Sequence, residues 1–163
     1  QPRPVQAIGF APGDCLPTQL GDLSVIATPG HSADHVSFLL AERGWLFGGD
    51  VFVHPYIKYL RWEENPYQTL KSFYRLLTYH LATLFCGHAG IVTDAKSALK
   101  RKITYLETLR DNSLSLHQQG WSVARISNHL LGREGLLTYI SRNDLSKQNF
   151  IHAWLATSTV SHP

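Results

Sequence analysis

Three side chains with metal-binding chemistry stand out in this chain, and each follows a short apolar run. Residues 28–51 read TPGHSADHVSFLLAERGWLFGGDV, and this segment carries His31 near its start and Asp50 near its end. His88 lies in residues 85–90, FCGHAG. Imidazole nitrogens and a carboxylate are the ligands expected for zinc, iron or manganese in a site that also holds an exchangeable water. The three residues therefore predict a metal site with an open, catalytic position.

The segments around these residues predict strands that deliver them to one place. Residues 35–41 and 45–47 are apolar runs separated by the turn 42–44, which predicts a β-hairpin. Antiparallel strands of matched length bring their outer ends together, so His31 and Asp50 should lie within side-chain contact. Residues 83–85 predict another strand that leads into His88. We expect the three side chains to converge at one edge of a sheet.

The remaining apolar runs, turn residues and helix-capping residues predict a mixed α/β (α+β) domain. Residues 23–28, LSVIAT, predict a strand, whereas residues 13–21, GDCLPTQLG, are turn-rich. Asn65-Pro66 predicts the start of a helix whose apolar face comprises Leu70, Phe73, Tyr74, Leu77 and Leu81. Further helices are predicted by the capping residues Asp94, Ser122 and Ser146.

The motifs TPGHSxDH, LFxGD and CGHxG, in this order, resemble the C-terminal half of the metallo-β-lactamase superfamily of metal-dependent hydrolases. The resemblance is to the general branch of glyoxalase II and lactamase-β-like proteins, and it implies an αββα sandwich. It also implies that His31 completes the shell of one metal, that Asp50 bridges two metals, and that His88 binds the second. Two zinc ions are expected in a complete site, with iron or manganese as alternatives.

In that superfamily the metals acidify a water into a hydroxide, which attacks a carbonyl or phosphorus centre. The resemblance therefore implies an ester, thioester, lactone or phosphodiester substrate and does not choose among them. The form HSxDHVSF is closest to endoribonucleases and to thioester or lactone hydrolases, whereas CGH is the form of glyoxalase II.

The superfamily's upstream HxHxDH segment does not occur in these 163 residues. We therefore expect residues 1–93 to be the C-terminal sheet and helix half of the fold, and residues 94–163 to be a helical C-terminal extension. The lack of methionine and the first residue, Gln1, favour a processed product or a fragment. We expect the site in this chain to be incomplete and the chain alone to be inactive. The alternative is a non-catalytic binding or oligomerisation module derived from that fold.

Without its first half, such a sandwich would expose the apolar face of its second sheet. The resemblance thus implies a homo-oligomer or pairing with an N-terminal half. The composition, 44% hydrophobic and 17% charged, is that of a globular domain. No apolar run approaches the roughly 18 residues of a membrane span, and no signal peptide layout opens the chain, so we expect a cytoplasmic protein without a membrane partner.

The net charge of +3 and the pI near 9.0 leave RNA open as an acidic partner, although the basic residues are scattered. Only one small basic cluster occurs, and we expect it to be a solvated helix face. It comprises Lys96, Lys100, Arg101 and Lys102.

Three residues near the predicted ligands receive structural interpretations. We expect His35 to be structural rather than a ligand, and Asp34 to cap its loop or to accept a hydrogen bond near the site. Cys86 is interpreted as a buried structural thiol, and both it and Cys15 are expected to be reduced.

Overall fold

The computed structural model describes residues 9–156, which form a six-stranded sheet, a two-stranded sheet and five helices. The strands are β1 (Cys15–Thr18), β2 (Gly21–Ala27), β3 (Val36–Leu40), β4 (Trp45–Gly49), β5 (Leu60–Arg61), β6 (Thr83–Cys86), β7 (Gly90–Val92) and β8 (Leu145–Ser146). The helices are α1 (Pro66–Leu77), α2 (Ala95–Gln118), α3 (Val123–Leu131), α4 (Leu136–Ile140) and α5 (Lys147–Ala156). The prediction of a mixed α/β fold is confirmed.

The large sheet has the strand order β1-β2-β3-β4-β6-β7. All neighbours are antiparallel except β4 and β6, which pair in parallel because α1 lies in the crossover between them. The predicted hairpin is confirmed as β3 and β4, with Leu39 opposite Leu46 and a single 3₁₀ turn between the strands. The strands β5 and β8 pair separately and connect the segment before α1 to the C-terminal helices.

The turn-rich segment 13–21 contains a strand that the sequence pattern does not predict, because β1 occupies its middle. It pairs with β2 at the sheet edge, with Leu16 opposite Leu23. Three of its four residues are exposed, so it lacks an apolar alternation, and it contains Pro17, which an edge strand tolerates. The strand β1 is held to the sheet by its backbone hydrogen bonds and not by buried side chains. Its sequence therefore shows turn-forming residues and no strand pattern.

The predicted start of α1 is confirmed, since the Asn65 side chain accepts hydrogen bonds from the backbone of the first turn. The predicted apolar face is partly wrong. Leu76, not Tyr74, joins Leu70 and Phe73 in the buried stripe, and Leu81 is buried only after the helix has ended. Tyr74 instead points outward and donates from its hydroxyl to Glu107 on α2 at 2.6 Å.

The caps predicted for the other helices are confirmed. Asp94 accepts from the backbone of Ser97 at the start of α2, and Ser122 accepts from Arg125 at the start of α3. The Ser146 hydroxyl accepts from the backbone N–H of Gln148 in the first turn of α5. The short helix α4 and the strands β5, β7 and β8 have no counterpart in the predicted elements.

One continuous apolar core lies between a face of the large sheet and the helices. Ile26, Leu46 and Leu84 contribute from the sheet, and Trp154 contributes from α5. Members come from both sides of residue 93, so the helices after that point pack on the same core as those before it. The division into residues 1–93 and 94–163 stays a prediction.

The opposite face of the large sheet carries aromatic side chains and is here called the aromatic face. Its centre is Phe47, which is 36% exposed and stacks on Phe85 with ring centroids 4.8 Å apart. Phe38 on β3 lies in register with Phe47, and the Trp45 ring contacts Phe85 edge to face with ring centroids 5.7 Å apart. Large apolar side chains in such a row are typical of a surface that packs against another layer.

The prediction of a solvated basic face on α2 is wrong for Lys102. Its side chain is 1% exposed, and its amine donates to the backbone oxygen of Phe52. The aromatic rings of Phe52 and Phe73 lie 5.3 and 5.9 Å from the amine. Burial lowers the pKa of Lys102 to about 7. Lys102 occupies a core-facing position of α2, between the buried residues Leu99 and Ile103 in the helical stripe.

Within the described residues, no helix is both long enough and apolar enough to cross a membrane. Both cysteines are free thiols, Cys15 exposed and Cys86 buried, as predicted.

Gly30→Ala is expected to destabilise the fold strongly. Gly30 has a φ of 145°, and a Cβ there would lie 2.7 Å from the backbone nitrogen of Thr69 and 2.8 Å from its Cα. Backbone atoms cannot rotate away, so we expect a loss of about 2–4 kcal/mol in the free energy of unfolding. Urea titration followed by circular dichroism measures it. Gly9→Ala, where a Cβ meets nothing within 4 Å, is the control, and equal stability of the two variants would contradict the prediction.

Candidate metal centre

The three predicted ligands meet at one end of the large sheet. One carboxylate oxygen of Asp50, Oδ2, lies 3.8 Å from Nε2 of His31, and the other, Oδ1, lies 3.4 Å from Nε2 of His88. Asp50 therefore stands between the two imidazoles with one oxygen toward each. The side chains of His31, Asp50 and His88 are 29%, 37% and 61% exposed. The convergence follows from the hairpin as predicted, and the role of these residues as metal ligands stays a prediction.

The parallel pair β4 and β6 places Asp50 beside His88. Both strands end at this edge, and the register shifts by one residue between Phe47 and Gly49, which turns the chain at the end of β4. The backbone of Gly87 donates to the oxygen of Gly49 at 2.9 Å and continues the pairing to the base of the His88 loop. A Cβ at Gly87 would lie 2.7 Å from Asp50 Oδ1, so a larger residue there would displace the carboxylate.

The loop that bears His31 is fastened to α1. The backbone N–H of Asn65 donates to the oxygen of Gly30 at 2.7 Å, and the Ser72 hydroxyl donates to the oxygen of Pro29 at 2.7 Å. These bonds hold the loop between β2 and β3 against the first turns of the helix. His31 is therefore positioned by both the sheet and α1.

Glu64 joins the site although no sequence argument selected it. Its Oε1 lies 2.7 Å from His31 Nδ1, on the side of the ring away from Asp50. The Glu64 side chain is 15% exposed, and burial raises its pKa against the opposing effect of His31. The only available signal was its place directly before Asn65-Pro66, which puts it at the start of α1 without indicating what it contacts.

His35 has the structural contacts that were predicted for it. Its Nδ1 is 2.8 Å from the Thr28 hydroxyl, which in turn lies 2.9 Å from the hydroxyl of the buried Ser37. Burial, followed by the charge of His31, lowers the pKa of His35. Asp34 accepts from the Ser32 hydroxyl at 2.8 Å, which fits the predicted loop role. Both interactions stiffen the loop that carries His31.

Each metal position would receive only two donors from the three proposed ligands. His31 with Asp50, and Asp50 with His88, each supply one imidazole nitrogen and one carboxylate oxygen, the donors that zinc accepts. Over residues 9–156, no group of three or more His, Cys, Asp or Glu side chains is arranged to hold a metal ion. Zinc sites in proteins normally use three or four protein ligands. These residues thus fit parts of two adjacent shells that share Asp50.

A small cavity of about 30 Å³ opens between the ligands and the core. Its lining combines His31 and Asp50 with the buried groups Glu64 and Lys102, and apolar residues close it from below. The volume corresponds to about one water molecule.

Comparison with solved structures places the fold. A metallo-β-lactamase family protein from Thermus thermophilus superposes with a TM-score of 0.69 over 93% of this chain at 21% identity. A β-lactamase domain protein from Burkholderia ambifaria superposes with a TM-score of 0.71 over 96% of this chain at 20% identity. This chain has the metallo-β-lactamase fold. It covers 48% of each of those two structures.

Curated proteins similar in sequence to this metallo-β-lactamase-fold chain include two hydroxyacylglutathione hydrolases. The one from Mesorhizobium japonicum is 36% identical over 110 residues, which cover 60% of this chain and 43% of that protein. The one from Chelativorans is 31% identical over 108 residues, covering 60% and 42%. A lactamase-like protein of Emericella nidulans is 30% identical over 86 residues, covering 52% and 26%. No protein-family model matches the chain, and the chain spans less than half the length of these relatives.

Proposed function

We propose that this chain is the C-terminal part of a metal-dependent hydrolase, in which His31, Asp50 and His88 bind the metals. The observation that carries the proposal is the placement of Asp50, whose two oxygens face two different imidazoles at 3.8 and 3.4 Å. A carboxylate between two histidines at the ends of parallel strands suits a bridging ligand. The hydroxyacylglutathione hydrolases among the similar proteins support the reaction class.

Divalent metal ions, with zinc first and iron or manganese as alternatives, would supply an acidified water and would polarise the electrophile. The residues of this chain would hold and space the metals. His31 and His88 would each offer an imidazole nitrogen, and Asp50 would supply a carboxylate between the two metal positions. The partly exposed His88 leaves the solvent side open to a substrate.

The substrate class within the proposal is an ester, thioester, lactone or phosphodiester. Acylglutathione thioesters should be tested first, since two of the similar proteins are hydroxyacylglutathione hydrolases. A phosphodiester in RNA is the weaker alternative, and the scattered positive charge adds little to it. A non-catalytic binding or oligomerisation module remains the second proposal, and the aromatic face is the observation that favours it.

We further propose that the aromatic face is covered by a second sheet, supplied either by an N-terminal half or by a second copy of the chain. Phe47, Trp45 and Phe85 form a contiguous apolar strip that water would otherwise contact. Analytical ultracentrifugation of the chain separates the two sources. A dimer that Phe47→Glu dissociates supports a second copy, and a monomer at all concentrations excludes it.

We expect the chain to bind zinc weakly and through the three proposed ligands. Each pair of donors leaves two or more positions to water, so much of the binding free energy of a full site is missing. Calorimetric titration should give a low affinity that His31→Ala or His88→Ala abolishes. His54→Ala is the matched control, because His54 is exposed and its Nδ1 only accepts from the backbone of Tyr56. Tight binding that neither substitution changes would mean that zinc occupies a different site.

A further inference from the structure

The contact between Glu64 and His31 decides which nitrogen of the His31 ring carries the proton. The imidazole has two nitrogens, and only one can carry the proton when the ring is neutral. An ionised carboxylate only accepts hydrogen bonds, so the 2.7 Å contact puts the proton on Nδ1. Nε2, which faces Asp50 at 3.8 Å, then keeps its lone pair.

We propose that Glu64 is a positioning residue that fixes His31 in the tautomer able to bind a metal through Nε2. The inference rests on the proposed function for the identity of the ligand, whereas the tautomer itself is a property of the metal-free chain. A carboxylate that orients a ligating histidine also increases the basicity of the ligating nitrogen. Glu64 would therefore act on the metal through His31 and would not touch it.

The structure holds Glu64 in place for this role. Its backbone N–H donates to the oxygen of Arg61 at 3.2 Å, and the next residue, Asn65, donates to Gly30 beside His31. The backbone next to Glu64 is thus hydrogen-bonded to the loop that carries His31. Because the side chain is largely buried, water competes little for the His31 proton.

Burying the Glu64 carboxylate costs free energy unless a hydrogen-bond partner compensates it. The carboxylate is only 15% exposed, and its 2.7 Å hydrogen bond with His31 replaces contacts that water would otherwise provide. No lysine or arginine in the described residues forms an ion pair with Glu64. A buried acid whose main partner is one imidazole nitrogen adds little to the stability of the fold. Its contact therefore fits a role in positioning the His31 ring.

The test uses the 163-residue chain with ¹⁵N-labelled histidine and long-range ¹H–¹⁵N NMR at mildly alkaline pH, without metal. The wild type should show His31 protonated at Nδ1. Glu64→Ala should give a mixture of tautomers, whereas Glu64→Gln, whose amide oxygen still accepts, should keep the Nδ1–H form. The matched control is Glu63→Ala, which removes an exposed neighbour of the same charge. His31 found protonated at Nε2 in the wild type, or unchanged in Glu64→Ala, would overturn the proposal.

A second readout is the zinc affinity of the same variants. Glu64→Ala should weaken it by about 10–100-fold, and Glu63→Ala should leave it unchanged. If the wild type binds zinc through His31 and Glu64→Ala binds equally well, the positioning role fails while the proposed metal site stands. If the tautomer shifts as expected but the wild type binds no zinc, the proposed metal site fails while the positioning role stands. Circular dichroism of each variant confirms that the fold is intact, and Glu64→Gln supplies the comparison if Glu64→Ala does not fold.

Discussion

Asp50→Ala is expected to abolish metal-dependent hydrolysis by a chain that joins these residues to an upstream HxHxDH segment. Asp50 is the one proposed ligand that lies between both histidines, so its loss removes a donor from each metal position. Metal ions contribute several kcal/mol of transition-state stabilisation, and each ~1.4 kcal/mol corresponds to a tenfold change in rate. We therefore expect kcat/KM for an acylglutathione thioester to fall by about 10³-fold or more.

The measurement has three arms. The 163-residue chain loaded with zinc or manganese should hydrolyse no more thioester, lactone or RNA than free metal does. Adding the upstream segment, fused or as a separate chain, should create activity. Asp22→Ala is the control, since Asp22 is an exposed carboxylate on β2 that has no part in the proposed site. Turnover by the 163-residue chain that survives Asp50→Ala would refute both the site assignment and the expectation of inactivity.

Lys102→Met is expected to stabilise the fold below neutral pH and to remove a pH dependence of stability. The pKa of Lys102 is about 7 in the folded chain, against an ordinary value of 10.5. Between these values the unfolded chain binds more protons, so the free energy of unfolding of the wild type should rise with pH from about 7 toward 10. Below pH 7 the folded chain carries a buried charge, and the cost is fully present. At ~1.4 kcal/mol for each pKa unit, the difference amounts to a few kcal/mol.

Denaturant titrations at pH 6 and pH 9.5 measure this effect. The unfolding free energy of Lys102→Met should vary less between the two pH values than that of the wild type, and it should be higher at pH 6. The oxygen of Phe52 stays paired in the variant, because the backbone of His54 also donates to it at 2.7 Å. Lys100→Met, an exposed change on the same helix, should keep the wild-type slope. A lower stability of Lys102→Met at pH 6 would show that the amine contributes more through its contacts than its burial costs.

The strands and caps around the site could be predicted because their signals are local. The hairpin of β3 and β4 has two apolar runs and a short turn, and Asn65-Pro66 is a cap followed by its helix. His31 and Asp50 then meet because antiparallel pairing leaves little choice of register. The edge strand β1 could not be predicted in this way, since its side chains are exposed and its pairing depends on backbone groups that no sequence pattern marks.

The contacts that cross long stretches of sequence could not be predicted either. Glu64 reaches His31 across 33 residues, and nothing in the local sequence EENP says which loop α1 will dock against. Lys102 is a basic residue among basic residues, and only its phase on α2 relative to Leu99 and Leu106 places it in the core. In both cases a tertiary contact decides the role, and the residue type alone favours a solvated side chain.

The pairing of β5 with β8 connects the segment before Glu64 to residues near the end of the described chain. Leu60 and Arg61, just before Glu64, pair with residues 145–146, and the Asn149 amide donates to the oxygens of Leu60, Asn143 and Asp144. The strand that leads to Glu64 therefore has its pairing partner about 85 residues later in the sequence, whereas His31 and Asp50 lie in one hairpin segment. Helix α5 supplies Asn149, which holds the segment that leads to Glu64 and so to His31. Cleavage between α4 and α5 would therefore loosen the His31 loop, although the cut lies far from that loop in the sequence.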